Sequence, residues 1–257
     1  MNTVKRKISS LLNFTKLFKN WNTALLCWYS TSKNSYTLQL RDGTLFKVRS
    51  GSSDIQMIIE IYKGKSYHLN LNKLDRNSVI IDIGANIGVF SVFISKFTGK
   101  QSRVFAFEPF PENFSFFNEN VKINGFENLI KIFPFAVGKS NEDRFLNIDA
   151  GDNAMHSFYA ESGSRISVKT ITLEKIFIEN DIGICDFLKI DCEGAEYEII
   201  LNSPAIILNK IKIISIEYHP HPPYTHLQLK EMLQENGFEI TVNETASGFG
   251  FMDAVKK

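Results

Sequence analysis

The run Val79-Ile80-Ile81-Asp82-Ile83-Gly84-Ala85-Asn86-Ile87-Gly88-Val89-Phe90-Ser91 constrains this chain more than any other stretch. Its continuous β-branched opening suits a strand buried on both faces, which implies a largely parallel sheet covered on two sides. The strand ends in an acid and breaks into a glycine turn that opens a helix. That is the form of a nucleotide cradle in a doubly wound α/β sheet, where ligands sit beyond the carboxyl ends of the strands.

The alternation such a sheet needs is present from Ser78 onward. Strand Val79–Ile83 leads to a helix over about Gly88–Phe97, and strand Val104–Glu108 to a helix from Pro111 to Asn124 stopped by Gly125. Strands Ile130–Pro134 and Phe187–Asp191 follow, then a helix from about Ala195 to Leu201 and strand Lys212–Glu217. A helix over about His226–Asn236 and closing strands Phe238–Val242 and Gly248–Val255 complete the reading.

Residues 1–50 form an extension. Lys5, Arg6, Lys7, Lys16 and Lys19 lie among Leu11, Leu12, Phe14, Leu17, Phe18 and Trp21, which reads as one basic amphipathic helix. Two roles stand for it: lying on anionic lipid, or packing on the domain or a partner chain. A hairpin from Tyr36 to Val48 then turns at Asp42-Gly43. Residues 51–257 form the main domain, where Asp54 begins a capped helix ending near Gly64. Over 139–172 the alternation lapses into a polar insertion expected at the mouth of the site, with Arg144–Ile148 and Ser164–Val168 as short strands.

Bulk properties exclude several classes. A 44% hydrophobic share in 257 residues is that of a globular chain. With 29 Lys and Arg against 28 Asp and Glu, no global field points to nucleic acid. Cys27, Cys185 and Cys192 include no C-x-x-C pair, so neither a disulfide framework nor a zinc knuckle is expected. No cleavable leader or membrane span is read. The expected compartment is the cytoplasm, at the inner membrane face if the basic helix lies on lipid.

The turn itself narrows the ligand. A dinucleotide loop wants G-x-G-x-x-G, but Asn86 and Val89 replace two of its glycines; a P-loop wants Gly-Lys-Ser/Thr, and Gly88 is followed by Val89. Asp-x-Gly-x-Asn-x-Gly instead fits a cofactor that places an adenosine over the turn without a phosphate, and S-adenosylmethionine is the candidate. Gly84 and Gly88 would let backbone approach it, and Asp82 would attract its ammonium, directly or through water. Glu108, twenty positions after Gly88, would accept the ribose hydroxyls.

These residues resemble the FkbM-type S-adenosylmethionine-dependent methyltransferases, from about Arg49 to Val255. Asp82-Ile83-Gly84-Ala85-Asn86-Ile87-Gly88 is similar to the family's first motif, and Phe107-Glu108-Pro109-Phe110-Pro111, with Asn120 and Asn124, to its second. Phe187–Glu196 resembles its most distinctive motif and Ile216-Glu217-Tyr218-His219 its late strand end; Ser53-Asp54 and Thr172-Leu173 also fit. Cys192 and Glu174 depart from it. The resemblance implies a mostly parallel sheet of about seven strands with the last antiparallel, and O-methylation of a hydroxyl on a polysaccharide or glycolipid sugar or a secondary metabolite. It implies Asp54, Asp82, Gly84, Ala85, Asn86, Gly88, Glu108 and Pro109 as cofactor residues.

A neutral hydroxyl is a poor nucleophile, so the site also needs a base. Asp191 is the first candidate, as base or acceptor-orienting carboxylate. Glu217 and His219 beside it would form either a base pair or a metal site, and no metal is assigned. Glu193 and Glu196 suit a helix N-terminus, with Lys189 as the partner neutralising Glu196. His156 in the insertion, and His221 and His226 near a proline-containing loop, would face the acceptor or solvent. The acceptor would be a small molecule or glycan, with a second copy of the chain admitted as a partner and nucleic acid not. A nicotinamide-dependent oxidoreductase and a non-catalytic scaffold remain the alternatives.

Overall fold

The computed structural model describes residues 14–30, 32, 34–64, 67, 70–148, 164–244 and 249–257. The basic cluster Lys5–Lys7, Leu11, Leu12, the centre of the insertion with His156, and Gly248 lie outside them.

Seven strands form the central sheet: β3 (Val79–Ile83), β4 (Arg103–Phe107), β5 (Ile130–Phe133), β10 (Phe187–Ile190), β11 (Ile213–Tyr218), β12 (Phe238–Glu244) and β13 (Gly250–Lys256). Their spatial order is β12-β13-β11-β10-β3-β4-β5. Pairings from β11 through β5 are parallel, and β13 runs antiparallel between β11 and β12. The expected seven-stranded sheet with an antiparallel last strand is therefore present. Because strand side chains alternate, the continuous apolar runs feed two cores. Val79, Ile81 and Ile83 point into one with Phe105 and Phe107, and Ile80 into the other with Val104 and Ala106.

Helices α2 (Asp54–Tyr62), α3 (Val89–Thr98) and α4 (Pro111–Asn124) cover the second core. Helices α5 (Leu173–Glu179), α6 (Glu196–Leu201), α7 (Ala205–Leu208) and α8 (His226–Glu235) cover the first. Pro111 and Gly125 bound α4 as expected, and Thr225 with Gln228 closes α8 in a capping box.

The extension differs from its expectation. Helix α1 (Trp21–Tyr29) begins only after Phe18 has bridged Leu40, so residues 14–29 are not one continuous helix. The Asn20 side chain accepts from Gln39 N and donates to Thr37 O, engaging the edge of the hairpin β1 (Ser35–Gln39) and β2 (Leu45–Arg49) instead of continuing a helix. Phe14, Phe18, Ala24 and Cys27 are buried in the second core. Asn120 and Asn124 of α4 fix β2 from the other side, bonding the backbone of Lys47 and Leu45.

Within the insertion, β7 (Arg144–Ile148) and β8 (Ser164–Val168) form at the bounds read from the sequence, and they pair antiparallel. The short parallel pair β6 (Ala136–Val137) and β9 (Thr170–Ile171) beneath them was not anticipated, since two residues carry no periodic signal. No described helix is long and apolar enough to cross a membrane.

Candidate active site

The carboxyl ends of β3, β4, β10 and β11 open into a cavity of about 330 Å³. Gly84, Ala85 and Asn86 line it from the β3 turn, and Glu108 and Pro109 from the end of β4. Lys189, Asp191, Glu193 and Glu217 line it from the β10–β11 side. Ser53, Gln56, Met57, Glu60 and Ile61 wall it along α2, Phe135, Ala136 and Val137 along the segment after β5, and Leu146 along the insertion.

The β3 turn is tight for two different reasons. A Cβ on Gly84, at φ +74°, would stand 1.7 Å from the Asp191 carbonyl oxygen, so only glycine lets β3 and β10 end side by side. A Cβ on Gly88 would stand 2.0 Å from the Phe117 ring. Gly88 thus serves the packing of α3 on α4 and lies outside the cavity lining, which corrects its expected role beside a cofactor.

Glu108 is buried and doubly held. Asn86 N donates to its Oε2 at 2.8 Å and Phe110 N to its Oε1 at 2.9 Å. Burial pushes its carboxyl up to about 7 against the lowering effect of those bonds. Asn113 Nδ2 also stands 3.5 Å from Oε1, so Oε2 is the oxygen that retains acceptor capacity for a hydroxyl such as that of a ribose.

Asp82 does not face the cavity. It is fully buried, Ser91 Oγ donates to its Oδ2 at 2.6 Å, and Lys189 Nζ stands 3.3 Å from its Oδ1. Its expected contact with a ligand ammonium gives way to a structural pair set by register, because Asp82 and Lys189 are direct neighbours on β3 and β10. Asp54 is likewise displaced from the site. Arg49 donates to it from its backbone N, Nε and Nη2, so Asp54 ties the hairpin to α2 and neither caps the helix nor lines the cavity.

Lys189 is the charge centre of the other half. Its Nζ donates to Gly84 O at 2.7 Å and lies 3.6 Å from Asp191 Oδ2. Burial disfavours its charge, but Asp82 and Asp191 outweigh that and hold it protonated above the ordinary lysine range. Glu196, its expected partner, meets His219 instead.

Sequence reasoning missed Tyr67. Its hydroxyl lies 3.0 Å from Asp191 Oδ2 and 2.8 Å from Glu217 Oε2, with its ring against Phe90 and Phe251 and under Lys189 Nζ. A lone tyrosine between helical and extended segments carries no motif, so nothing in the sequence marked it. Two oxygen–oxygen contacts of hydrogen-bond length need two protons, and the phenol supplies one. The other belongs on Glu217, whose carboxyl is pushed up to about 8 by burial and by the charge of Asp191. Tyr67 itself is held protonated by burial and both carboxyl groups.

Both ring nitrogens of His219 face carboxylates. Its Nδ1 lies 2.9 Å from Glu196 Oε1, its Nε2 lies 3.6 Å from Glu193 Oε2, and its backbone N donates to Glu196 Oε1. Burial opposes its charge, yet Glu196 and Glu193 raise it to about 10, so at neutral pH the ring is an imidazolium with no lone pair for a proton. Acting as the expected base would require His219 to lose that proton first. Asp191, Glu217 and His219 do bring ligand-type atoms within 4.8 Å of one another. Lys189, Tyr67 and Glu196 already engage all three, so no metal is assigned. Glu196 also accepts from Gly194 N, which locks the β10–α6 turn to the end of β11.

This sheet, with its inserted antiparallel strand and glycine turn at the switch point, defines the seven-stranded methyltransferase fold. The chain matches the methyltransferase FkbM domain over residues 82–240 and belongs to that family. The hexuronic acid methyltransferase AglP of Haloferax volcanii is 25% identical over 155 residues, covering 59% of this chain and 60% of that protein. Methyltransferase sdnD of Sordaria araneosa is 24% identical over 213 residues, covering 71% of this chain and 81% of that one. A solved structure of an FkbM methyltransferase from Methylobacillus flagellatus aligns at a TM-score of 0.49 and 17% identity, over 70% of this chain and 44% of that one. The chain thus spans less than two thirds of the length of AglP and of that structure.

Proposed function

We propose that this chain is an S-adenosylmethionine-dependent methyltransferase acting on a hydroxyl oxygen, with a sugar of a polysaccharide or glycolipid, or a secondary metabolite, as acceptor. One observation carries the reading: Glu108 and the Asp191–Tyr67–Glu217 chain open into the same cavity. The lining fits such a cofactor, because a buried carboxylate with spare acceptor capacity stands beside a turn with no phosphate-binding glycine pattern. S-adenosylmethionine supplies a methyl group on a positively charged sulfur, already activated for displacement. The protein's task is then to place the acceptor and take its proton.

Glu108 would accept hydrogen bonds from the ribose hydroxyls, and Gly84 and Ala85 would form the floor beside them. Asp191 takes the acceptor proton, held in place by Lys189. Asp191, which is partly exposed, returns that proton to solvent, while Tyr67 between Asp191 and protonated Glu217 keeps the Asp191 carboxylate aimed into the cavity. Glu196 and His219 are positioning residues that hold the turn carrying Glu193. AglP is named for a hexuronic acid, which supports a sugar acceptor here.

Calorimetry with S-adenosylmethionine, S-adenosylhomocysteine and NAD tests the first step. Binding of the first two and not of NAD is expected, and the reverse overturns the reading. Incubation with methyl-labelled cofactor and a panel of glycans then tests transfer. Label is expected on a hydroxyl oxygen, with loss of roughly 10²- to 10⁴-fold in Asp191→Asn. Cofactor binding without transfer to any acceptor would favour the scaffold reading.

A further inference from the structure

Helix α1 is built inside out. Its buried residues are the small Ala24 and Cys27, while Trp21 is 40% exposed, Leu26 60%, Trp28 40% and Tyr29 64%. At about 100° per residue, Trp28, Trp21, Leu25, Tyr29 and Leu26 share one arc of about 160°, with Asn22 its single polar member. An ordinary surface helix turns such residues inward. The other exposed large apolar side chains among the described residues are scattered over separate elements, as is normal for a surface.

The charge of the segment that carries this face is equally one-sided in sequence. Seven of the chain's 29 Lys and Arg, and none of its 28 Asp and Glu, precede Asp42. Lys16 and Lys19, immediately ahead of α1, are exposed. Tryptophan and tyrosine beside clustered lysine and arginine match a bilayer interface, where amphipathic rings sit at headgroup level and cations meet anionic lipid.

We propose that the exposed face of α1 docks on an anionic lipid bilayer, lying on the surface without crossing it. The fold connects this face to the cavity rim. The Ser50 hydroxyl bonds the carbonyls of Ser32 and Asn34, just past α1, and the Ser30 carbonyl lies 3.7 Å from where a Cβ on Gly51 would stand. Two residues further on, Ser53 lines the cavity. Docking itself is independent of methyl transfer. Resting on the function proposed above, it specifies the acceptor as a hydroxyl of a membrane-anchored glycan.

Trp21 and Trp28 are the chain's two tryptophans, so its intrinsic fluorescence reports on this helix alone. The full chain is mixed with vesicles of phosphatidylcholine, with and without phosphatidylglycerol, at low and high salt, and binding is read by sedimentation and by tryptophan emission. Binding to the anionic vesicles with a blue shift, weakened by salt and absent on the neutral vesicles, is expected. Lys16→Glu with Lys19→Glu is expected to weaken binding roughly tenfold, and Leu26→Ser with Tyr29→Ser by a similar factor. Both variants are expected to retain S-adenosylhomocysteine binding, which separates this test from that of the cofactor site. No binding of the wild-type chain to anionic vesicles, or binding unaffected by both variants, overturns the proposal. Self-association abolished by the Leu26 and Tyr29 changes without vesicle binding would instead assign the face to a second copy of the chain.

Discussion

The two strand-to-helix turns that meet beneath the cavity are held in opposite ways. The β3–β4 side is held by backbone: two amide N–H groups fix Glu108, and a missing side chain at Gly84 makes room for β10. The β10–β11 side is held by charge: one ammonium, two carboxyl groups and a phenol share too few protons for each to be satisfied alone. In the function proposed above, the first recognises a shape and the second handles a proton. Because the two sides use different physics, they are expected to fail separately.

The largest expected effect tests their one shared support. Lys189→Met leaves Asp82 charged and buried without its cation, so a loss of about 3–5 kcal/mol is expected in urea unfolding. A change under about 1 kcal/mol would show that the charge centre does not hold the floor together. Glu108→Gln sets an amide against a backbone donor and removes a charged acceptor. It is expected to weaken S-adenosylhomocysteine binding by about 1.5–3 kcal/mol, roughly 10- to 100-fold, by calorimetry. Tyr67→Phe sharpens the contrast by keeping the ring and deleting the shared hydroxyl. The same binding should move less than about threefold, at a stability cost of about 1 kcal/mol. A tenfold or greater loss of binding in Tyr67→Phe would join the two sides and break the comparison.

The remaining test is pH dependence. Glu108, Glu217 and His219 are raised to about 7, 8 and 10 in the folded chain, each above its ordinary value. The folded state therefore binds more protons than the unfolded one between about pH 5 and 10, and stability declines as pH rises through that window. Thermal unfolding should show a midpoint falling from pH 5 to 9, by about 2–4 °C for each kcal/mol lost. Glu217→Gln should flatten the part of the slope below about pH 8.

The backbone-held side was the legible one. Glycine spacing, a strand-end acid and the proline and glycine bounding α4 are local signals, and each was read close to where it lies. Asp54 and Asp82 were misassigned because an acid at a helix start or strand end looks the same whether it faces a ligand or a buried cation. Only tertiary partners, Arg49 and Lys189, decide between them. His219 stands at the expected strand end, but Glu196, 23 positions earlier, claims its ring. Tyr67 stands 124 positions from Asp191 and 150 from Glu217, a separation no local pattern spans. Residues 14–29 read as one helix because apolar spacing does not reveal that Asn20 binds a hairpin edge.

The close approach at Gly84 has a consequence for how such a scaffold diversifies. With the β3 turn pressed against the Asp191 carbonyl, the floor has no room for new side chains, so a change of acceptor has to come from the cover. Met57 and Ile61 on α2, and Leu146 on the insertion hairpin, reach the cavity from segments outside the central sheet. Grafting those two segments from a relative, with the floor untouched, is the route by which this chain could be redirected to a different acceptor.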